Sequence, residues 1–322
     1  MNHTLIQLHP GGAVKPTPTP VDHHSLLKAF LSGRNVRTIK AYAQDLANFQ
    51  AFVSARSTEE AARRLMSEGH GPANMLALSY RTHMVERGLK SATINRRLAA
   101  LRSLVHLART FGLVPWGLEI QNVKTEAYRD TRGPGKQGFR CLLNEVERKK
   151  SKKAVRDRLI LHLLYDLALR SGEAVSLDVG DVDMAQGTLA VQGKGKTAKQ
   201  ALTMPEPTKI AMQAWLEIRG GEPGPLLTNF DRAGKGKRLT GVGLYCIVRG
   251  LGCRAGLKVR PHGLRHTAIT EACKAAQANG IGLEEVLDFS RHSRKSISIL
   301  MVYRDKERDV QGQLASLVAA SV

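Results

Sequence analysis

The chain has 322 residues, 42% hydrophobic and 24% charged, a balance that suits a soluble globular protein long enough for two buried cores. Lys and Arg outnumber Asp and Glu by 49 to 28, and the resulting formal charge of +21 favours a polyanionic partner. No run of about 18 apolar residues occurs, and residues 1–20 lack the basic start and apolar stretch of a secretory signal, so neither a membrane span nor export is expected.

Residues 1–21, rich in Pro and Thr and poor in apolar side chains, read as a flexible tail. The adjacent His23 and His24 have no further ligand at metal spacing and are assigned no role. From 22 to 112 the pattern is helical. Ile39, Tyr42, Leu46, Phe49 and Val53 recur on one face of one segment. In a later helix Ile94, Leu98, Leu101, Leu104, Val105 and Leu107 do the same, with Ser91 expected as its N-cap and Gly112 as its stop. The polar faces carry Arg34, Arg37, Lys40, Lys90, Arg96, Arg97, Arg102 and Arg109, a basic surface suited to DNA in a unit this small.

Residues 113–138 hold Pro115, Gly117, Gly133, Pro134 and Gly135 among many charges and read as a linker. Helical periodicity resumes after it, through Leu142 and Leu159 to Tyr165. Thr188 to Val191 and Ala201 to Met204 are expected as two short strands around a basic glycine turn. The fold class is therefore mainly α with a small β-sheet: a helical domain at 22–112, a linker at 113–138 and a larger, mostly helical domain at 139–308. Residues 309–322, with Val310, Leu314, Leu317 and Val318 at helical spacing, form an expected helical tail. Cys141, Cys246, Cys253 and Cys273 are far apart and form no C-x-x-C pair, so buried free thiols are expected rather than zinc ligands or disulfides.

Four segments of the second domain carry chemistry together. They are Leu167-Ala168-Leu169-Arg170-Ser171-Gly172-Glu173, Gly193-Lys194-Gly195-Lys196, Pro261-His262-Gly263-Leu264-Arg265-His266, and Phe289-Ser290-Arg291-His292 followed by Met301-Val302-Tyr303. Taken in this order, they resemble the tyrosine recombinase, or phage integrase, family. Its members place an arginine, a lysine in a β-turn, a His-x-x-Arg pair, a second His or Trp and a C-terminal tyrosine in one active site. The resemblance extends to the first domain. There Thr38-x-x-x-Tyr42-x-x-Asp45-Leu46-x-x-Phe49 and Thr93-Ile94-Asn95-Arg96-Arg97-Leu98 look like the family's core-binding domain.

The resemblance implies a catalytic set of Tyr303, Arg170, Lys194, His262, Arg265 and His292. Two guanidiniums, Arg170 and Arg265, can each offer paired N–H donors to a phosphate and stabilise the charge built on it during attack. Arg170 stands in an otherwise apolar stretch, where burial without an anionic partner is costly. Glu173 is expected either to pair with a basic group of the site and orient it, or to form a surface i,i+3 ion pair. Lys194 takes the place of the family's general acid, with Lys196 as the reserve. Gly195-Lys196-Thr197 ends like a Walker loop, but Ala190 stands where the first glycine is required and the turn joins strands, so no nucleotide site is expected. Tyr42, Tyr80, Tyr165 and Tyr245 lie in apolar periodic segments and read as structural, and Tyr128 lies in the linker. Only Tyr303 follows the His-x-x-Arg segment. His292 lies two residues further from the tyrosine than the family's second His or Trp, and a gapless count lands on Arg294 instead.

The function implied is site-specific recombination of double-stranded DNA through a 3′-phosphotyrosine, by a homotetramer, in the cytoplasm. The phosphotyrosine conserves the bond energy, so no cofactor or metal is required. A type IB topoisomerase and a DNA-binding accessory protein without catalysis are the alternatives. The matching first domain weighs against the former, the complete set of catalytic residue types against the latter.

Overall fold

In the computed structural model, residues 23–32, 36–124, 133–193, 198–231, 234–292, 316 and 318–320 are described, and they fall into two units divided near residue 127. In the first unit apolar residues at helical spacing build five helices: α1 (His23–Leu31), α2 (Val36–Phe52), α3 (Thr58–Ser67), α4 (His70–Glu86) and α5 (Ser91–Thr110). Leu26, Phe30, Leu46, Phe49, Leu65, Tyr80, Ile94, Leu98, Leu101 and Leu104 are buried together between them. Ser57 accepts the Glu60 N–H and caps α3, while the Glu60 carboxylate accepts the Arg56 N–H at 2.8 Å. The α5 cap differs from expectation. Ser91 is the first helical residue, Lys90 holds the cap position, and its side chain makes no capping bond. Gly112, at φ +75°, follows the end of α5, and its N–H bonds the Arg109 carbonyl.

The segment 113–124, read from its Pro and Gly as the start of a linker, packs on the first unit instead. Val114, Leu118 and Ile120 are buried in the five-helix core. Asn95 binds Val123 twice: its Nδ2 donates to the carbonyl at 2.9 Å and its Oδ1 accepts the N–H at 2.8 Å. Arg102 donates to the Ile120 carbonyl at 2.6 Å and to Asn122 Oδ1 at 2.8 Å. Spaced apolar residues and satisfied backbone groups hold this strip without regular secondary structure.

The second unit contains α6 (Gly135–Glu147), α7 (Lys152–Tyr165), α8 (Ser171–Ser176), β1 (Val182–Asp183), β2 (Thr188–Gln192), β3 (Lys199–Thr203), α9 (Glu206–Arg219), α10 (Gly241–Arg254), α11 (Pro261–Ala278) and α12 (Leu283–Ser290). Helix α6 thus begins inside the expected linker. The sheet is antiparallel in the order β1-β2-β3, with Leu189 opposite Leu202 and Gln192 opposite Lys199. The hairpin follows the expected strands, and β1 is an addition too short to show alternation. Ser151 caps α7 and Thr240 caps α10. Helix α7 is buried on most sides, through Leu159, Ile160, Leu161, Leu163 and Leu164. Around it pack Leu142, Val191, Met212, Trp215, Leu244 and Leu264, and the Trp215 indole N–H donates to the Leu226 carbonyl at 2.8 Å.

All four cysteines are free, but only Cys273 is buried; Cys246 and Cys253 are exposed, each on an outward side of α10. Tyr80 is buried and Tyr165 stacks on Phe139 at 3.8 Å, whereas Tyr245 is exposed and does not serve the core. Tyr128 lies outside the described residues, as does the tail at 309–322 apart from Ser316 and residues 318–320, where Val318 is exposed.

Candidate active site

Three chain reversals bring the site together. The first follows α7. Ala168 adopts a left-handed φ of +45°, and the Leu169 N–H reaches back to the Leu163 carbonyl at 3.0 Å. Leu167, Ala168 and Leu169 are buried, so the extended Arg170 emerges beside them with its side chain about 30% exposed. The second reversal precedes α11, where Pro261 opens the helix and His262 is the one exposed residue of an otherwise buried first turn. One turn later Arg265 lies among Leu264, Ala268 and Ile269 and is fully buried. The third ends α12: Arg291, at φ +52°, closes the helix, with its N–H on the Asp288 carbonyl and the His292 N–H on the Leu287 carbonyl, both at 3.1 Å.

Glu173 is the hub of the polar contacts. It is buried, which excludes the surface ion pair considered from sequence, and it faces two guanidiniums. Its Oε2 accepts the Arg170 N–H at 2.9 Å and Arg291 Nη2 at 3.1 Å, while Oε1 accepts Arg170 Nη1 at 2.6 Å. Burial alone would raise this carboxyl, but the Arg170 N–H, the Arg291 charge and the Arg170 side chain hold it below the ordinary range. Arg265 donates to the carbonyls of Ala168 and Ser290, tying α11 to both other reversals.

The two histidines are biased toward the neutral form. Burial, followed by the charges of Arg265 and Arg170, lowers the pKa of His262. His292 is pushed down to about 4 by burial and by Arg265, Arg170, Arg291 and His262. Arg265 bonds the carbonyls of Ala168 and Ser290, two residues before Arg170 and His292, and His262 lies one turn before it on α11, so the four residues are brought to one meeting of chain reversals. A neutral imidazole there can accept a proton or donate a hydrogen bond at pH 7, and two guanidiniums beside it favour an anion. The Nδ1 of His292 lies 3.0 Å from Ser290 Oγ, which orients the ring.

Of the residues expected from sequence, Lys194, Lys196, Arg294 and Tyr303 lie outside the described residues. Lys194 and Lys196 belong to the connection between β2 and β3, whose ladder closes at the Gln192–Lys199 pair. The neighbouring Lys199 is engaged by Asp181. In the first unit Lys40 and Lys90 are exposed, while the side chain of Arg37 is outside the described set. Arg96 is exposed and paired with Asp45 at 2.8 Å, Arg97 is mostly covered beside the same carboxylate, and Arg102 holds the strip at 120–122. Arg102, expected to face DNA, bonds the Ile120 carbonyl and the Asn122 side chain, which adds a structural task. The residue that sequence reasoning missed is Arg291, treated only as a neighbour of His292. An arginine where a helix must end left-handed was the available signal.

Residues 137–309 match the phage integrase family, and residues 27–110 match the phage integrase N-terminal SAM-like domain. A tyrosine recombinase of Synechocystis sp. is 35% identical over 292 residues, covering 89% of this chain and 91% of the relative. One from Synechococcus elongatus is 35% identical over 309 residues, covering 93% of this chain and 94% of its own. Among solved structures, the XerH site-specific recombinase bound to a palindromic difH substrate superposes with a TM-score of 0.66 at 20% identity, over 92% of this chain and 85% of that one. The fold is thus shared with that enzyme, while the sequence relatives decide the family. The topoisomerase and accessory-protein readings are not favoured. The chain belongs to the phage integrase family and is a tyrosine recombinase, an enzyme that breaks and rejoins DNA at specific sites.

Proposed function

We propose that Tyr303 is the nucleophile of this recombinase and that the spot ringed by Arg170, His262, Arg265 and His292 receives the scissile phosphate. The observation that carries this reading is the meeting of the three reversals that bear these residues: Arg265, one turn after His262 on α11, bonds the Ala168 carbonyl beside Arg170 and the Ser290 carbonyl beside His292. The Tyr303 hydroxyl attacks phosphorus and its proton passes toward neutral His262, aided by cations that favour a phenolate. The bond from phosphorus to the 5′ oxygen breaks, and Lys194, with Lys196 as the alternative, protonates the departing oxygen. A 3′-phosphotyrosine and a free 5′-hydroxyl result. Attack by the 5′-hydroxyl of a partner strand reverses the step, and neither metal nor nucleotide enters the balance. His292 donates a hydrogen bond to the phosphate, with Arg294 as the other occupant of that position.

The same reading extends to assembly and layout. Residues 22–112, through Arg37, Lys40, Lys90, Arg96 and Arg97, grip one face of the duplex, and 139–308 hold the chemistry. Four protomers bring two duplexes together in the cytoplasm, with the tail at 309–322 packed either on its own domain or on a neighbour.

The test is incubation with nicked suicide duplexes drawn from a DNA pool selected for binding. A covalent protein–DNA product is expected from the native protein and none from Tyr303→Phe. A covalent product persisting in that variant overturns the assignment of the nucleophile.

A further inference from the structure

We infer that Arg291 is a positioning residue of the active site, a third guanidinium that locks the end of α12 onto the Arg170 turn and so fixes where His292 stands. The inference rests on the catalytic reading above and concerns a residue that this reading does not use.

The geometry is specific. The Arg291 side chain is about 3% exposed and donates to four acceptors, one of them the Phe289 carbonyl of its own helix at 3.3 Å and three across the Arg170 turn. Its Nη1 donates to the Leu167 carbonyl at 2.9 Å, and Nη2 donates to the Ala168 carbonyl at 2.8 Å and to Glu173 Oε2 at 3.1 Å. Two of these acceptors already serve the proposed phosphate ligands: the Ala168 carbonyl also binds Arg265, and Glu173 also binds Arg170. One guanidinium therefore ties together the anchors of both arginines. It does so from the residue directly before His292.

The backbone adds an independent argument. Arg291 sits at φ +52° and Ala168 at φ +45°, a region that disfavours side chains with a Cβ. Both unfavourable conformations meet in a single hydrogen bond, from Arg291 Nη2 to the Ala168 carbonyl. If only a helix stop were needed at 291, glycine would fill it with less strain. A buried arginine there requires the contacts its side chain makes, and all but the one to the Phe289 carbonyl lie on the turn that bears Arg170 and on Glu173. A lysine could keep the charge but could not span two carbonyls and a carboxylate with a planar fork.

Arg291→Gly and Arg291→Lys test the idea. The glycine variant suits the left-handed φ and leaves Glu173 paired with Arg170, so it retains the fold. At saturating suicide substrate its single-turnover cleavage rate is expected to fall by about 10²-fold, as misplaced catalytic groups cause, with DNA affinity unchanged. Arg291→Lys should recover part of that loss. A second readout is independent of activity: the His292 ring, followed by NMR, should titrate well above its native value in Arg291→Gly. Among the described residues, the other charges acting on this ring are Arg265 and His262 on α11 and Arg170 before α8, none of which is altered. Cleavage within roughly twofold of the native rate together with an unmoved His292 titration would overturn the inference. A native protein that forms no Tyr303-dependent covalent product would instead overturn the catalytic reading, and the His292 titration would still decide whether Arg291 positions the ring.

Discussion

His292 and Glu173 give the site an acid limb that follows from their surroundings. In the folded protein His292 titrates near pH 4, whereas its ordinary value is 6.5. Between these values the unfolded chain binds a proton that the folded one refuses, so stability falls as pH drops from 6.5 toward 4. Glu173 adds to this lower down. Its folded pKa lies below the ordinary 4.5, so the stability of its ionised form is full above that value and is lost as pH falls through the folded one. Thermal unfolding between pH 7 and pH 3 should show a falling Tm, with His292→Gln flattening only the upper part. A Tm for His292→Gln that tracks the native protein throughout would show that the ring is solvated. Glu173→Gln should cost about 3 kcal/mol at pH 7, because the buried Arg291 guanidinium then lacks its carboxylate; urea unfolding measures this. The order of Arg170, His262, Arg265 and His292 along the chain was readable from sequence, since each lies in a short run with distinctive neighbours. The role of Arg291 was not, because its partners at Leu167, Ala168 and Glu173 are more than a hundred residues away and two of them are backbone carbonyls.

Helices α2 and α5 bury the faces that their apolar periodicity marks out, and the β2–β3 hairpin pairs through the apolar runs on either side of its basic turn. Periodicity failed for the strip at 113–124, which is held by its own buried Val114, Leu118 and Ile120 and by side chains of α4 and α5. Asn95 and Arg102 lie on α5 seven residues apart, two turns of helix, and each satisfies backbone groups of that strip. Nothing in the type of a polar helix residue distinguishes such a bond from a solvent or DNA contact, which is why Arg102 was read as facing DNA. Asn95→Ala removes a donor and an acceptor matched to Val123, and should cost about 1–2 kcal/mol. Hydrogen exchange should accelerate at Val123 and at neighbouring amides of the strip while the centre of α5 stays protected. Equal protection of Val123 in both proteins would mean that the buried Val114, Leu118 and Ile120 hold the strip without the asparagine. Arg102→Ala should act at the same place and reduce DNA affinity less than Lys40→Ala or Lys90→Ala does, because its guanidinium is already bonded to protein.

At the scale of the whole molecule the formal charge of +21 sets how this recombinase meets its substrate. Each phosphate neutralised by Lys or Arg releases condensed counterions, and contact with 6–10 phosphates lowers affinity by roughly 10³–10⁵ between 50 and 200 mM salt. The internal ion pairs limit how much of the charge is available: Arg291 and Lys199 are bound to the carboxylates of Glu173 and Asp181. Lys40 and Lys90 are exposed and pair with no carboxylate among the described residues, so each should contribute to the salt dependence. Titrating duplex DNA at several salt concentrations should therefore give a steep log–log slope, and Lys40→Ala or Lys90→Ala should each reduce it by about one phosphate's share. The covalent intermediate behaves differently. If phosphorus is joined to Tyr303 as proposed, raising the salt concentration cannot release the DNA, since no counterion competes with an ester bond. A suicide-substrate reaction assembled at 50 mM salt and then raised to 1 M should keep its cleaved product on the protein and lose all uncleaved duplex. Complete release of cleaved strands at 1 M would show that no covalent bond had formed. A salt slope unchanged by either lysine variant would place the DNA on another surface of the protein.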